Sequence, residues 1–140
     1  RSSHSLHYEG FDLFDLATNE THNEEINGKG SGDIVRAKTL LNKISKRYNP
    51  RLTYTLHKGF TTNTLVTPRT YDLVLIDGGH SYETVKYDYN MVKDSKVIIF
   101  DDYDLPDVER VVNEEVYPYY KNNIEIVDIE TKKLLVLRKD

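Results

Sequence analysis

The 140-residue chain is 38% hydrophobic and 30% charged, the balance of an ordinary soluble protein with enough apolar surface for a real core. A net charge of -4 argues against nucleic acid as the main partner, and no apolar run approaches a membrane span or a signal peptide. The absence of cysteine excludes disulfides and thiolate metal sites and agrees with a cytoplasmic location, so the sequon Asn19-Glu20-Thr21 is read as a chance match.

Arg1 to Leu6 carries no start signal, and His7 to Asp15 already reads as a strand closing on an acid, so the chain is expected to begin partway into its fold. Residues 17–32 are polar and glycine-containing, which predicts a long mobile loop over one end of the sheet. Its glycines are not spaced as a phosphate-binding loop, and His22 is read as a solvated side chain. From Asp33 to Tyr48, Ile34, Ala37, Leu40, Leu41, Ile44 and Tyr48 recur with helical period, with Ser31 or Asp33 as the cap and Asn49-Pro50 as the stop. Leu52 to His57 is a strand, Gly59 to Asn63 the turn at its end, and Thr64 to Arg69 a short helix or loop.

The stretch Tyr71-Asp72-Leu73-Val74-Leu75-Ile76-Asp77-Gly78-Gly79-His80-Ser81-Tyr82 is echoed by Val97-Ile98-Ile99-Phe100-Asp101-Asp102-Tyr103. Each is a short apolar run stopping on carboxylates, the pattern of a buried parallel strand whose end opens into a site. Side by side, the two strands bring Asp77, Asp101 and Asp102 together. Clustered carboxylates repel, so such a fold neutralises them with a proton, a cationic side chain or a metal ion. With oxygen ligands alone, that ion is a hard one: Mg²⁺, Mn²⁺ or Ca²⁺. The plainer alternative is that Asp77 and Asp101 only cap the helices that follow.

Ser81 is placed to cap a helix running to about Lys93, with Val85, Tyr89 and Val92 inward. Leu105-Pro106 opens another, with Val108, Val111, Val112 and Val116 as its apolar stripe and Pro118 as its end. Ile124 to Ile129 and Leu134 to Leu137, joined near Glu130-Thr131, form an antiparallel hairpin. The alternation of strands and helices predicts an α/β domain with a mostly parallel sheet covered on both faces, whose ligands sit at the carboxyl ends of the strands.

The run from Tyr71 to Asp88 followed by Val97 to Tyr103 resembles the class I S-adenosylmethionine-dependent methyltransferases, in particular a group with an Ile-Asp-Gly-x-His-x-Tyr signature after the fourth strand. The terminal hairpin matches that Rossmann-like fold as well, and the resemblance spans nearly all of residues 1–140, read as one domain. It implies that Asp12 accepts hydrogen bonds from the cofactor ribose, and that Gly59 and Phe60 border the adenine, although Phe60 stands where many relatives have an acid or hydroxyl. Asp77, Asp101 and Asp102 fall where metal-dependent O-methyltransferases of this fold bind Mg²⁺, and Asp77 also borders the cofactor. His80 falls where a base or substrate-orienting group could stand, with Asp77 as the other candidate; its plainer role is a hydrogen bond to a neighbouring carboxylate. Tyr82 and Tyr103 are read as wall.

The family's first strand and glycine-rich turn should precede Asp12, and only eleven residues with Gly10 stand there, so the chain is expected to be N-terminally truncated. That loss opens the sheet at two edges, to be covered by a partner chain, a swapped strand or direct pairing. The sequence therefore predicts metal-assisted O-methylation, with S-adenosylmethionine and Mg²⁺ or Mn²⁺, of a small polyhydroxy or sugar-like acceptor. The alternative is a non-catalytic remnant of the fold acting as a binding or assembly module, with a homo-oligomer covering the edges. A receiver-like phosphoryl-transfer domain fits less well, because its acidic pair comes first in the chain. The 11 tyrosines are scattered over several elements, which does not build a base-stacking surface.

Overall fold

In a computed structural model, which describes residues 4–24, 32–130 and 132–139, the chain gathers into two compact units. One comprises the described parts of Arg1–His22 and Gly28–Leu65, the other those of Asn23–Asn27 and Val66–Asp140. Each holds its own hydrogen-bonded sheet, so the expected single sheet is replaced by two, and direct pairing of the opened edges is absent among the described residues. The expectations for the His22 side chain, Ser31 and Thr131 fall outside the described part.

In the first unit, β1 (Leu6–Asp12) pairs in parallel with β2 (Leu52–Lys58), from Leu6 opposite Leu52 to Asp12 opposite Lys58. The strand ends at Asp12, earlier than Asp15. Asp12 Oδ1 accepts a hydrogen bond from the Phe14 amide at 2.6 Å, and Phe14–Leu16 turns in 3-10 form with Phe14 at φ 51. The expected loop contains α1 (Asn19–Glu24). Its start is fixed by Thr18 and Thr21, whose amides each donate to the other's hydroxyl, at 2.8 and 3.3 Å, a reciprocal cap. α2 (Ile34–Arg47) begins at Asp33, which accepts from the Val35 amide at 2.8 Å. Ile34, Ala37, Leu41 and Ile44 are half-buried, while Leu40 and Tyr48 of the expected stripe face solvent. After Gly59, at φ 139, the chain forms α3 (Thr61–Thr64), earlier than expected, because the Phe60 carbonyl already collects the amides of Asn63 and Thr64.

The second unit carries a sheet of order β3-β4-β6-β5, formed by β3 (Leu73–Ile76), β4 (Val97–Phe100), β5 (Ile124–Ile129) and β6 (Lys132–Arg138). β3 and β4 are parallel, and β6 runs antiparallel to both of its neighbours, as the hairpin reading requires. β3 lies at the sheet edge. Leu73 and Leu75 are 61% and 59% exposed, against the expectation of a strand buried on both faces, because β4 is its one ladder partner among the described residues.

α4 (Tyr82–Val92) starts at Ser81, whose hydroxyl accepts from the Thr84 amide, and buries Val85, Tyr89 and Val92 as predicted. α5 (Pro106–Val111) does not stop at Pro118. It widens into a π-helical turn over Val112–Val116 and continues as α6 (Tyr117–Tyr120), where Pro118, lacking an amide hydrogen, occupies the first turn. Val108, Val111, Val112 and Val116 are buried along this helical run, and Ile98, Phe100, Leu135 and Leu137 supply the sheet side of the core. Among the described residues no helix is long and apolar enough to cross a membrane.

Candidate metal centre

The carboxyl ends of β3 and β4 are tied together by the Asp101 amide, which donates to the Ile76 carbonyl at 3.0 Å. That bond sets Asp77, the residue after β3, beside Asp101 and Asp102. The turn Gly78-Gly79 then carries His80 back toward the same end before Ser81 opens α4. One ligand atom each from Asp77, His80 and Asp102 lies within 4.8 Å of the other two. Neither aspartate of the cap alternative is a helix cap: Ser81 stands at that position for α4 and Leu105 for α5.

Asp102 adopts φ 49, a left-handed conformation uncommon outside glycine. Its amide donates to Asp101 Oδ1 at 2.9 Å, and its carbonyl accepts from the Leu105 amide at 2.9 Å. A backbone held in this region beside a carboxylate cluster is the kind of local strain that functional sites hold.

Asp101 is 6% exposed and takes a different partner. Lys132, at the start of β6, places Nζ 2.5 Å from Asp101 Oδ2 and 3.9 Å from Asp102 Oδ1. Burial pushes the Asp101 carboxyl up, but the Lys132 ammonium, a side-chain contact from Asp77 and the Asp102 amide together hold it below the usual carboxylate range. The same pairing raises the Lys132 ammonium. Lys132 was not singled out in the sequence. The signal for it was the hairpin itself, since a strand antiparallel to β4 must begin where β4 ends.

His80 is buried, its Nε2 lies 3.1 Å from Asp102 Oδ2, and the contact lacks hydrogen-bond alignment, so neither ring nitrogen has a hydrogen-bond partner among the described residues. Tyr82 and Tyr103, expected as wall, make contacts of their own. The Tyr82 hydroxyl donates to Glu114 at 2.6 Å under the Arg110 guanidinium, and burial with the Tyr117 contact pushes Tyr103 up to about 12.

The residues assigned to the cofactor belong to the first unit, except Asp77. Asp12, Gly59 and Phe60 meet at the carboxyl ends of β1 and β2, where the Gly59 amide donates to the Asp12 carbonyl at 2.9 Å. Asp12 and Phe60 are exposed. Gly10 is no part of a cofactor turn: it lies within β1, and a Cβ there would come 2.9 Å from Leu56 Cδ2.

Among solved structures, the chain is similar to that of the O-methyltransferase NovP, with a TM-score of 0.60 and 14% identity over 99% of this chain. The fold is methyltransferase-like. This chain spans 61% of the NovP chain. No family model and no curated protein matches it.

Proposed function

We propose that this chain is an S-adenosylmethionine-dependent methyltransferase that methylates a hydroxyl of a small polyhydroxy or sugar-like acceptor with the help of a divalent cation. The observation that carries this reading is the convergence of Asp77, His80 and Asp102 at the carboxyl ends of β3 and β4 in a methyltransferase-like fold. Asp77, Asp101 and Asp102 gather three carboxyl groups around the ammonium of Lys132, an excess of acid that a divalent cation would offset.

A bound cation supplies Lewis acidity, lowering the pKa of an acceptor hydroxyl and fixing its place. Asp77 and Asp102 would hold it. Asp12 would anchor the ribose, and the turn at Gly59 and Phe60 would border the adenine. S-adenosylmethionine would supply the methyl group, passing it from sulfur to the acceptor oxygen and leaving as a neutral thioether, and the exposed Asp77 would give the hydroxyl proton a way out to solvent.

Calorimetric titration of Mg²⁺ and Mn²⁺, with and without S-adenosylmethionine, tests this reading on the native chain and on Asp102→Asn. Metal binding that tightens with the cofactor and weakens at least about tenfold in the variant is the expected result; no binding of either ligand would overturn it. A second reading, a non-catalytic module that assembles through its sheet edge, is favoured by the exposure of Leu73 and Leu75 on β3. It requires an oligomer in sedimentation that Leu75→Lys dissociates, together with no cofactor binding.

A further inference from the structure

Buried polar groups in folded proteins almost always have a hydrogen-bond partner. Among the described residues His80 departs from that rule at both ring nitrogens, and its Nε2 sits 3.1 Å from a carboxylate oxygen without the alignment of a hydrogen bond. An imidazole that points into a carboxylate pair in this way has the arrangement of a ligand whose ion would draw the donors into line.

Resting on the metal-assisted reading above, we infer that His80 is itself a metal ligand, completing a mixed nitrogen and oxygen set with Asp77 and Asp102, and that Lys132 excludes Asp101 from that set. The site then selects a transition-metal dication over Mg²⁺. Three points carry this. The ligand atoms of Asp77, His80 and Asp102 lie within 4.8 Å of one another. Asp101, the third member of an all-oxygen set, has Oδ2 bound by Lys132 and Oδ1 bound by the Asp102 amide. An imidazole ligand shifts preference from Mg²⁺ and Ca²⁺, which take oxygen, toward Mn²⁺ and the ions after it. A nitrogen engaged as a ligand takes no proton from the acceptor, so His80 is a binding residue and not the general base. Lys132 is a positioning residue, acting through Asp101.

The test is electron paramagnetic resonance of Mn²⁺ added to the tag-free chain, with pulsed detection of nitrogen coupling, beside competition by Mg²⁺. The inference expects Mn²⁺ to bind about tenfold or more tightly than Mg²⁺, with a nitrogen coupling that disappears in His80→Gln. Lys132→Met should narrow the preference by releasing Asp101 as an oxygen ligand, with Mg²⁺ gaining affinity. The native-chain spectrum decides the matter even if His80→Gln fails to fold. Bound Mn²⁺ without nitrogen coupling, or coupling that survives in a folded His80→Gln, overturns the inference while leaving metal-assisted methyl transfer standing. No Mn²⁺ binding overturns both. Nitrogen-coupled Mn²⁺ in a chain that binds no S-adenosylmethionine upholds the inference and overturns the methyltransferase reading.

Discussion

The two units differ in how much of their apolar surface they hide. In the second, Ile98, Phe100, Val111, Val112, Val116, Leu135 and Leu137 are all fully buried. In the first, only Phe14, Leu52 and Leu65 among the described residues join the buried hydrophobics; α2 buries none of its residues, and Leu6, Tyr8, Val35, Leu40 and Tyr48 face solvent. A parallel two-stranded ladder with one long helix and two short ones does not surround its own apolar side chains, whereas four strands with α4 and the α5–α6 run do. The candidate metal centre lies in the unit with the dense core, which suits a site that needs side chains held in place.

The sharpest way to break this comparison is Phe100→Ala. With Phe100 fully buried against Tyr89, ring centroids 5.7 Å apart, the loss should be about 3–5 kcal/mol in denaturant unfolding. Leu40→Ala in α2 should fall within about 0.5 kcal/mol, and a large effect there would show that the first unit hides more than its surface reveals. Next in size is the cap of α4: Ser81→Ala should remove about 1 kcal/mol of global stability. Asp33→Ala loses a comparable cap on α2, but in the thinner unit it should register as faster amide exchange across residues 34–47, with little change in the global midpoint.

The smallest effect is one of pH. Asp101 is held below its unfolded value, so its pairing stabilises the fold above about pH 4 and that contribution is lost as pH falls through the lower folded value. Lys132→Met should flatten this acid limb in a pH series of unfolding midpoints; an unchanged limb would mean that the pair contributes nothing to stability.

Much of the second unit could be read from its sequence because local signals and burial agree there. Val85, Tyr89 and Val92 share one helical face, Ser81 precedes them, and the short link after Ile129 permits only a hairpin. Asp77 and Asp102 were legible as acids ending apolar runs. The misses have physical causes. The widened turn at Val112–Val116 leaves the valine pattern intact while changing what Pro118 does. The helix at Asn19–Glu24 rests on two threonine hydroxyls, with almost no apolar periodicity to announce it. Leu73 and Leu75 read as core because alternation and apolarity report a strand's character, while its exposure depends on how many neighbours it has. Lys132 was hidden by distance along the chain, 31 residues after the acid it binds.

The backbone at Asp102 narrows the chemical alphabet available there. At φ 49, glycine, asparagine and aspartate are the residues most at ease, and β-branched or bulky side chains are resisted. Of the three, only aspartate brings a charge. Substitution at this position thus has few conformationally silent routes, and each of them removes the anion: a chain that kept its shape at residue 102 and lost its aspartate would leave the candidate metal centre one carboxylate short.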